Sequence, residues 1–212
     1  MADLYAQYGC GLSCPDGWIN YDASPTLRLQ KIPLVGALVR SMSRAKFPKN
    51  VKYGDIIKGL PLKDGSVKGL YCSHVLEHLA YDDMLIAIKN SYRLLHQDGK
   101  FRLIVPDMEL ICRKYINAID NNQDPEAVKR MLEESILGIK TRKRGFLNFF
   151  TSFFGNANHL WMWDFYAMEK VLSDAGFKNI RPAKFGDSTD QHFSLVESEA
   201  RFRDAVAIEC SK

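Results

Sequence analysis

Residues 67–106 read VKGLYCSHVLEHLAYDDMLIAIKNSYRLLHQDGKFRLIVP, and this stretch decides the fold. It opens on an apolar run of strand length, residues 67–72, that stops at Ser73-His74. A helix follows, with Asp82 or Asp83 as its cap, Leu85, Ile88, Tyr92 and Leu95 recurring at helical spacing, and Gly99 just past its end. Residues 101–105 form the next strand, closed by Pro106 because proline cannot donate to a central ladder. Strand, helix and strand in succession are the unit of a parallel sheet, whose neighbouring strands need a crossover between them.

The same rhythm runs outward in both directions. Residues 4–8 read as a strand ending at Gly9, and residues 18–21 as a second ending at Asp22. Residues 27–42 then read as one helix, with Pro33 near its start and Leu27, Ile32, Val35, Leu38, Val39 and Met42 on a shared apolar face. Residues 51–53 give a short strand before Gly54-Asp55. Beyond Pro106 the pattern is helical over residues 107–137, restarting at Asp124-Pro125, and again over residues 164–175, where Gly176 stops it. Residues 177–185 and 205–210 are two late strands with no helix expected between them, which predicts an antiparallel hairpin closing an otherwise parallel sheet. The expected fold is a single α/β Rossmann-like domain over residues 1–212, with seven strands, an antiparallel last strand and helices on both faces.

Composition agrees with one water-soluble domain: 212 residues, 46% hydrophobic and 25% charged, with a net charge of +4. That excess is too small by itself to indicate a nucleic-acid binder, and no DNA partner is expected. The five cysteines (Cys10, Cys14, Cys72, Cys112, Cys210) form no CxxC pair, so neither a disulfide framework nor a metal site is predicted from them. Cys72, inside a strand, reads as a small buried apolar residue. No secretory signal is visible at the start, and polar residues interrupt the charge-free stretch 145–163, so the cytoplasm is the expected location.

Ligands of open α/β sheets bind beyond the carboxyl ends of the strands. Those ends carry Gly9-Cys10-Gly11, Asp22, Gly54-Asp55, Ser73-His74 and Pro106-Asp107. A glycine pair lets a ligand approach the backbone, and a carboxylate after the second strand can accept hydrogen bonds from a ribose diol. The loop of residues 11–17 leads straight into the second strand, leaving no room for the helix N-terminus that a dinucleotide's pyrophosphate requires. NAD, FAD and a Walker-type site are therefore not expected, whereas a nucleoside cofactor without phosphates loses nothing.

The stretches YGCGLSCPDGWINYD, YGDIIKGLPLKDGSVKGLYCSHVLEHL, YRLLHQDGKFRLIVPD and HLWMWDFYAMEKVLSDAGF together resemble the class I S-adenosylmethionine-dependent methyltransferases. Within them they resemble the small bacterial type 11-like proteins with a GCG…GWINxD opening. The resemblance implies the seven-stranded sheet with a reversed last strand and S-adenosylmethionine as cofactor. It implies that Gly9, Cys10 and Gly11 line the methionine end of that cofactor, that Asp22 takes the ribose hydroxyls, that Asp55 and Ile56 flank the adenine, and that Ser73 and His74 lie near the methionine and the acceptor. The chain departs from the family at Gln7, where an acidic residue is usual, and at Ser13, where a third glycine is common. Both departures imply altered cofactor binding.

Methyl transfer from a sulfonium needs orientation and, for hydroxyl acceptors, removal of a proton. His74 is the candidate base, while Glu77 and His78 are expected to orient the segment or cap the helix. Asp107 is expected to be a helix cap, and His159 and Asp164 sit among tryptophans of which at least one belongs to the core. Residues 107–163 are expected to form the acceptor lid. The basic cluster Lys140, Arg142, Lys143 and Arg144 precedes an aromatic run, so residues 140–154 are a candidate contact for a peripheral membrane or an anionic substrate. A second basic set comprises Arg40, Arg44, Lys46, Lys49 and Lys52. The resemblance favours a small molecule or a cell-envelope glycan as acceptor. The alternatives are a catalytically inactive scaffold of the same fold, supported by Gln7 and Ser13, and an RNA methyltransferase.

Overall fold

The computed structural model describes residues 3–34, 36–43, 45–140 and 158–212. Their strands are β1 (Leu4–Tyr8), β2 (Ile19–Asp22), β3 (Val51–Tyr53), β4 (Val67–Ser73), β5 (Leu95–Pro106), β6 (Lys178–Pro182) and β7 (Ala205–Ser211). They form one seven-stranded sheet in the order β3-β2-β1-β4-β5-β7-β6. β1 to β5 pair in parallel, and β7 runs antiparallel to both β5 and β6. The reversed last strand is thus as expected, inserted between β5 and β6.

Among the described residues the helices are α1 (Pro25–Gln30), α2 (Gly36–Met42), α3 (Tyr81–Leu94), α4 (Met108–Asn122), α5 (Ala127–Glu134), α6 (Phe165–Asp174) and α7 (Glu199–Phe202). The alternation of side chains along β4 and β5 divides the core into two layers. Leu70, Cys72, Phe101 and Leu103 face a main layer with Met84 and Ile88 of α3 and Met168 and Leu172 of α6. Tyr71 and Ile104 face the other layer, with Tyr5, Trp18, Phe193 and Val196. That second layer is roofed by the β6–β7 connection, whose 3-10 turn (Gln191–Leu195) buries Phe193. A 3-10 turn and α7 therefore intervene where two strands in direct succession were expected.

The helix expected over residues 27–42 is two helices. Pro33 lacks an N–H, Leu34 takes a left-handed φ of 68°, and α2 starts only at Gly36. The expected apolar face fails with it: Leu27 is buried, but Ile32, Leu38 and Met42 are exposed. Val35 lies outside the described residues. α3 begins at Tyr81 with Ala80 as an N-cap that makes no side-chain hydrogen bond, so Asp82 and Asp83 lie in its first turn, where a negative charge suits the helix dipole. Asp107 and Asp164 do cap, accepting from the N–H groups of Leu110 at 3.0 Å and Ala167 at 2.8 Å. The basic and aromatic residues 141–154 lie outside the described residues; Lys140 pairs with Glu133 at 2.7 Å.

Candidate active site

The register aligns the strand ends on one edge of the sheet. Tyr8 stands opposite Tyr21 and Cys72, Asp22 opposite Tyr53, and Ser73 opposite Ile104. The loops that follow β1, β2, β3 and β4 therefore meet, and they carry the residues singled out from the sequence.

Gly9 has a φ of +65°, and a Cβ there would lie 2.1 Å from Val75 Cγ2, so only glycine fits beneath the β4 loop. Gly11 also has a positive φ, +56°, yet a Cβ there would meet nothing within 4 Å. Its N–H donates to Asp22 Oδ2 at 2.9 Å, and Ser24 N–H donates to Oδ1 at 2.8 Å. Asp22 is thereby fixed at the end of β2. A carboxylate has about four lone-pair positions, so about two of them stay free for hydroxyl donors. Between Gly11 and β2 there is no helix whose N-terminal amides could hold a pyrophosphate after β1. Burial, and then the charge of Asp22, push the Cys10 thiol up to about 12.

Gln7 braces this loop from beneath. Its buried amide donates from Nε2 to Ser13 O at 3.0 Å and to Asn20 Oδ1 at 2.6 Å, and Gln7 and Asn20 are register partners. Asp55 Oδ1 accepts from Ile57 N–H at 3.0 Å, and Asn90 of α3 donates to Ile56 O at 2.8 Å. Ile56 is buried and gives the loop after β3 an apolar side.

His74 has a left-handed φ of 55°. Its Nδ1 lies 3.3 Å from Glu77 Oε1, and its Nε2 lies 3.0 Å from the carbonyl of Arg201. Burial alone would lower its pKa, but Glu77 and the Arg201 carbonyl raise it above the usual histidine value. Both ring nitrogens face acceptors, so accepting a proton requires Arg201 O to leave Nε2. A cavity of about 60 Å³ lies alongside, bounded by Gly9, Cys10, Ser73, Val196, Ser198 and Arg201. Ser73 Oγ and Tyr71 OH are buried beside it without hydrogen-bond partners.

Glu77 is fully buried in a 3-10 turn (Leu76–His78), and His159 is buried opposite it, 4.0 Å from Nε2 to Oε1. No local pattern predicts this meeting, although an acidic residue inside the apolar run VLEHL signals a carboxylate carried indoors. Trp163 is in the core at 2% exposure, while Trp161 is 46% exposed.

Residues 19–103 match the family model described as a methyltransferase domain. No curated protein matches the chain in sequence. Among solved structures, the chain is similar over its full length to a SAM-dependent methyltransferase from Archaeoglobus fulgidus, at 16% identity, covering 86% of that chain with a TM-score of 0.52. It is likewise similar over its full length to a SAM-dependent methyltransferase from Thermotoga maritima, a possible histamine N-methyltransferase, at 16% identity, covering 83% of that chain with a TM-score of 0.50. This is a methyltransferase fold. The family match over residues 19–103 and the fold of these two structures agree with each other. Among the described residues of this methyltransferase fold, no helix is long and apolar enough to cross a membrane.

Proposed function

We propose that the protein transfers a methyl group from S-adenosylmethionine to a small molecule or a cell-envelope glycan that enters over residues 107–163. The observation that carries the reading is the Gly11–Asp22 pair: an open backbone at a positive-φ glycine, bonded to a carboxylate that keeps lone pairs free, with no helix between Gly11 and β2. These residues suit an adenosine group without a pyrophosphate. Asp22 would accept the ribose hydroxyls, Asp55 and the apolar Ile56 would flank the adenine, and Gly9, Cys10, Gly11 and Ser73 would line the methionine end. When bound, the cofactor supplies a methyl group already activated on a sulfonium.

The protein's own part is orientation and the proton. His74, whose Nδ1 lies 3.3 Å from Glu77 Oε1, would take the acceptor's proton on Nε2 once the Arg201 carbonyl withdraws. The small cavity next to Ser73 and the Arg201 contact support a place for the methionine end beside the β6–β7 connection.

Isothermal titration of the full chain with S-adenosylmethionine tests the cofactor site. Saturable binding that Asp22→Ala weakens at least tenfold is expected. No binding, or a variant indistinguishable from the unmodified chain, overturns the reading. The acceptor is identified by the mass of the product that gains labelled methyl when the enzyme is incubated with a cell extract. A second reading, a binding protein without activity, draws on Gln7, whose neutral amide is spent on Ser13 and Asn20 where the family usually has an acidic residue. Release of S-adenosylhomocysteine in the extract assay excludes it.

A further inference from the structure

We infer that Glu77, His78 and His159 form a binding site for a divalent transition-metal ion. One ligand atom from each lies within 4.8 Å of the other two. Glu77 is fully buried, and neither carboxylate oxygen makes a hydrogen bond; the nearest donors are His74 Nδ1 at 3.3 Å, outside hydrogen-bond geometry, and His159 Nε2 at 4.0 Å. A buried carboxylate without hydrogen bonds is costly, and a bound cation relieves that cost directly. His78 already has the arrangement of a metal ligand: Nδ1 sits 3.2 Å from the Asn158 carbonyl, which fixes the tautomer that leaves the Nε2 lone pair available.

The backbone holds the set together. Leu160 and Trp161 both donate their N–H to Glu77 O, at 2.7 and 3.2 Å, tying the His159 segment to the 3-10 turn across about 80 residues of chain. A tetrahedral ion with bonds of about 2.0–2.2 Å holds its ligand atoms roughly 3.3–3.6 Å apart, so the three groups must close by about an ångström. Two imidazoles and one carboxylate are a zinc-, cobalt- or iron(II)-type donor set, and three protein ligands leave a coordination position for water or substrate. The site does not depend on S-adenosylmethionine, so its test is separate from the cofactor titration.

Chelator-treated full-length protein is titrated with Co(II) alone, followed by visible absorption, and with Zn(II), followed by thermal melting. The expected results are a saturating cobalt band at a single ion per chain and a higher Tm with zinc. His78→Ala and His159→Ala should each abolish the band with unchanged far-UV circular dichroism. Glu77→Gln, which keeps the shape and removes the charge, should also lose the band, and its Tm should no longer respond to zinc. Failure of the wild-type chain to bind cobalt or zinc, or binding that survives Glu77→Gln and His78→Ala, overturns the site and leaves His74 as the balance for the Glu77 charge.

A different observation carries a second inference, a lipid-facing surface on α1 and α2. Residues 23–54 contain seven lysines and arginines and no acidic residue. The rest of the chain, with 22 basic against 25 acidic side chains, is net negative, so the whole positive excess resides here. Within the same segment Leu34 is 100% exposed, Leu38 62% and Met42 79%, and the last two stand one helical turn apart. Apolar side chains projecting from a purely basic segment match a surface of anionic phospholipid, which takes the chains into its interface and the cations at its headgroups. We propose that this segment docks on such a surface. Flotation with vesicles of phosphatidylglycerol and phosphatidylcholine should carry the wild-type protein, whereas phosphatidylcholine alone, high salt, or Leu38→Asp with Met42→Asp should not. Equal flotation of that double variant, no flotation of the wild type, or a wild-type oligomer that the variant dissociates overturns it.

Discussion

Arg102, buried in β5, donates from Nε to Glu197 Oε1 at 2.7 Å, joining the central sheet to the connection that roofs it. The same guanidinium donates to Asp187 at 3.0 Å, to Glu209 at 2.9 Å and to the Lys184 carbonyl at 3.1 Å. It therefore holds three points of residues 184–197, just ahead of the Arg201 carbonyl that faces His74. Arg102→Ala leaves Glu197 buried without its cation and Glu209 with Arg181 as its remaining close one. Removing one partner of a buried pair costs about 3–5 kcal/mol. For a chain of this size that is a Tm lower by roughly 6–20 °C. Calorimetry checks the magnitude, and faster proteolysis within residues 184–204 checks that this connection loosens first.

The same cluster sets the acid limit of stability. Burial would raise the Glu209 carboxyl, but hydrogen bonds from Ser188, Arg102 and Arg181 hold it below its usual value. Asp187, likewise opposed by burial, is held low by Arg181, the Lys184 backbone and Arg102. A carboxyl depressed in the folded state contributes stability above its unfolded pKa of about 4, and that stability is lost as pH falls through the folded value. The contribution of this cluster to the urea midpoint should stay level above about pH 5 and drop below pH 4. In an Arg102→Met background that acid-side drop should shrink, because the folded pKa values return toward the unfolded ones.

Gly9 and Gly11 should respond differently to the same substitution. Alanine at Gly9 meets Val75 at 2.1 Å and a left-handed φ as well, so Gly9→Ala should destabilise by about 2–4 kcal/mol, and Val75→Ala should restore part of it. Alanine at Gly11 meets only the backbone strain, about 1–2 kcal/mol. Gly11→Ala should therefore fold while narrowing the open backbone beside Asp22, which parallel melting and S-adenosylmethionine titrations would separate.

What the sequence made legible follows from how local each feature is. Strand ends and their order are written in short apolar runs, which is why Gly9, Asp22, Ser73 and His74 fall on one edge as expected. The Leu27–Met42 reading failed because periodicity alone could not show that Pro33 and Leu34 break the chain, or that most of that apolar face stays in water. The Glu77–His159 contact and the Arg102 cluster join residues about 80 to 107 positions apart, and no local pattern encodes such distances. A trace was nevertheless present. Arg102 interrupts FRLIV, Glu209 interrupts AVAIEC, and the two are register partners on neighbouring strands.

Thiol labelling offers a direct check on the loop after β1. Cys10, Cys72 and Cys210 are buried, and Cys14 and Cys112 are half-buried. Burial, then Asp22, raise Cys10 to about 12, so its thiol is protonated and unreactive at pH 8. Iodoacetamide at that pH should modify Cys14 and Cys112 before the other three, as read by peptide mass. Early loss of Cys10 would mean that the loop opens in solution.

Gln7 supplies the most discriminating substitution, because it stands where an acidic residue is usual. Its Nε2 is a donor to two oxygens, Ser13 O and Asn20 Oδ1, while Asn20 Nδ2 is committed to the Pro15 and Trp18 carbonyls. Gln7→Glu replaces that donor with a carboxylate facing two acceptors in a buried position. Ionised, it should cost about 2–5 kcal/mol. Protonated, it can donate one of the two bonds again. Its folded pKa is therefore raised above the unfolded value of about 4.3, and the stability of the protonated form is lost as pH rises through that raised value. The difference in urea midpoint between wild type and Gln7→Glu should be small near pH 4 and large at pH 8. A difference independent of pH would mean that the amide points the other way, with Oε1 toward Asn20.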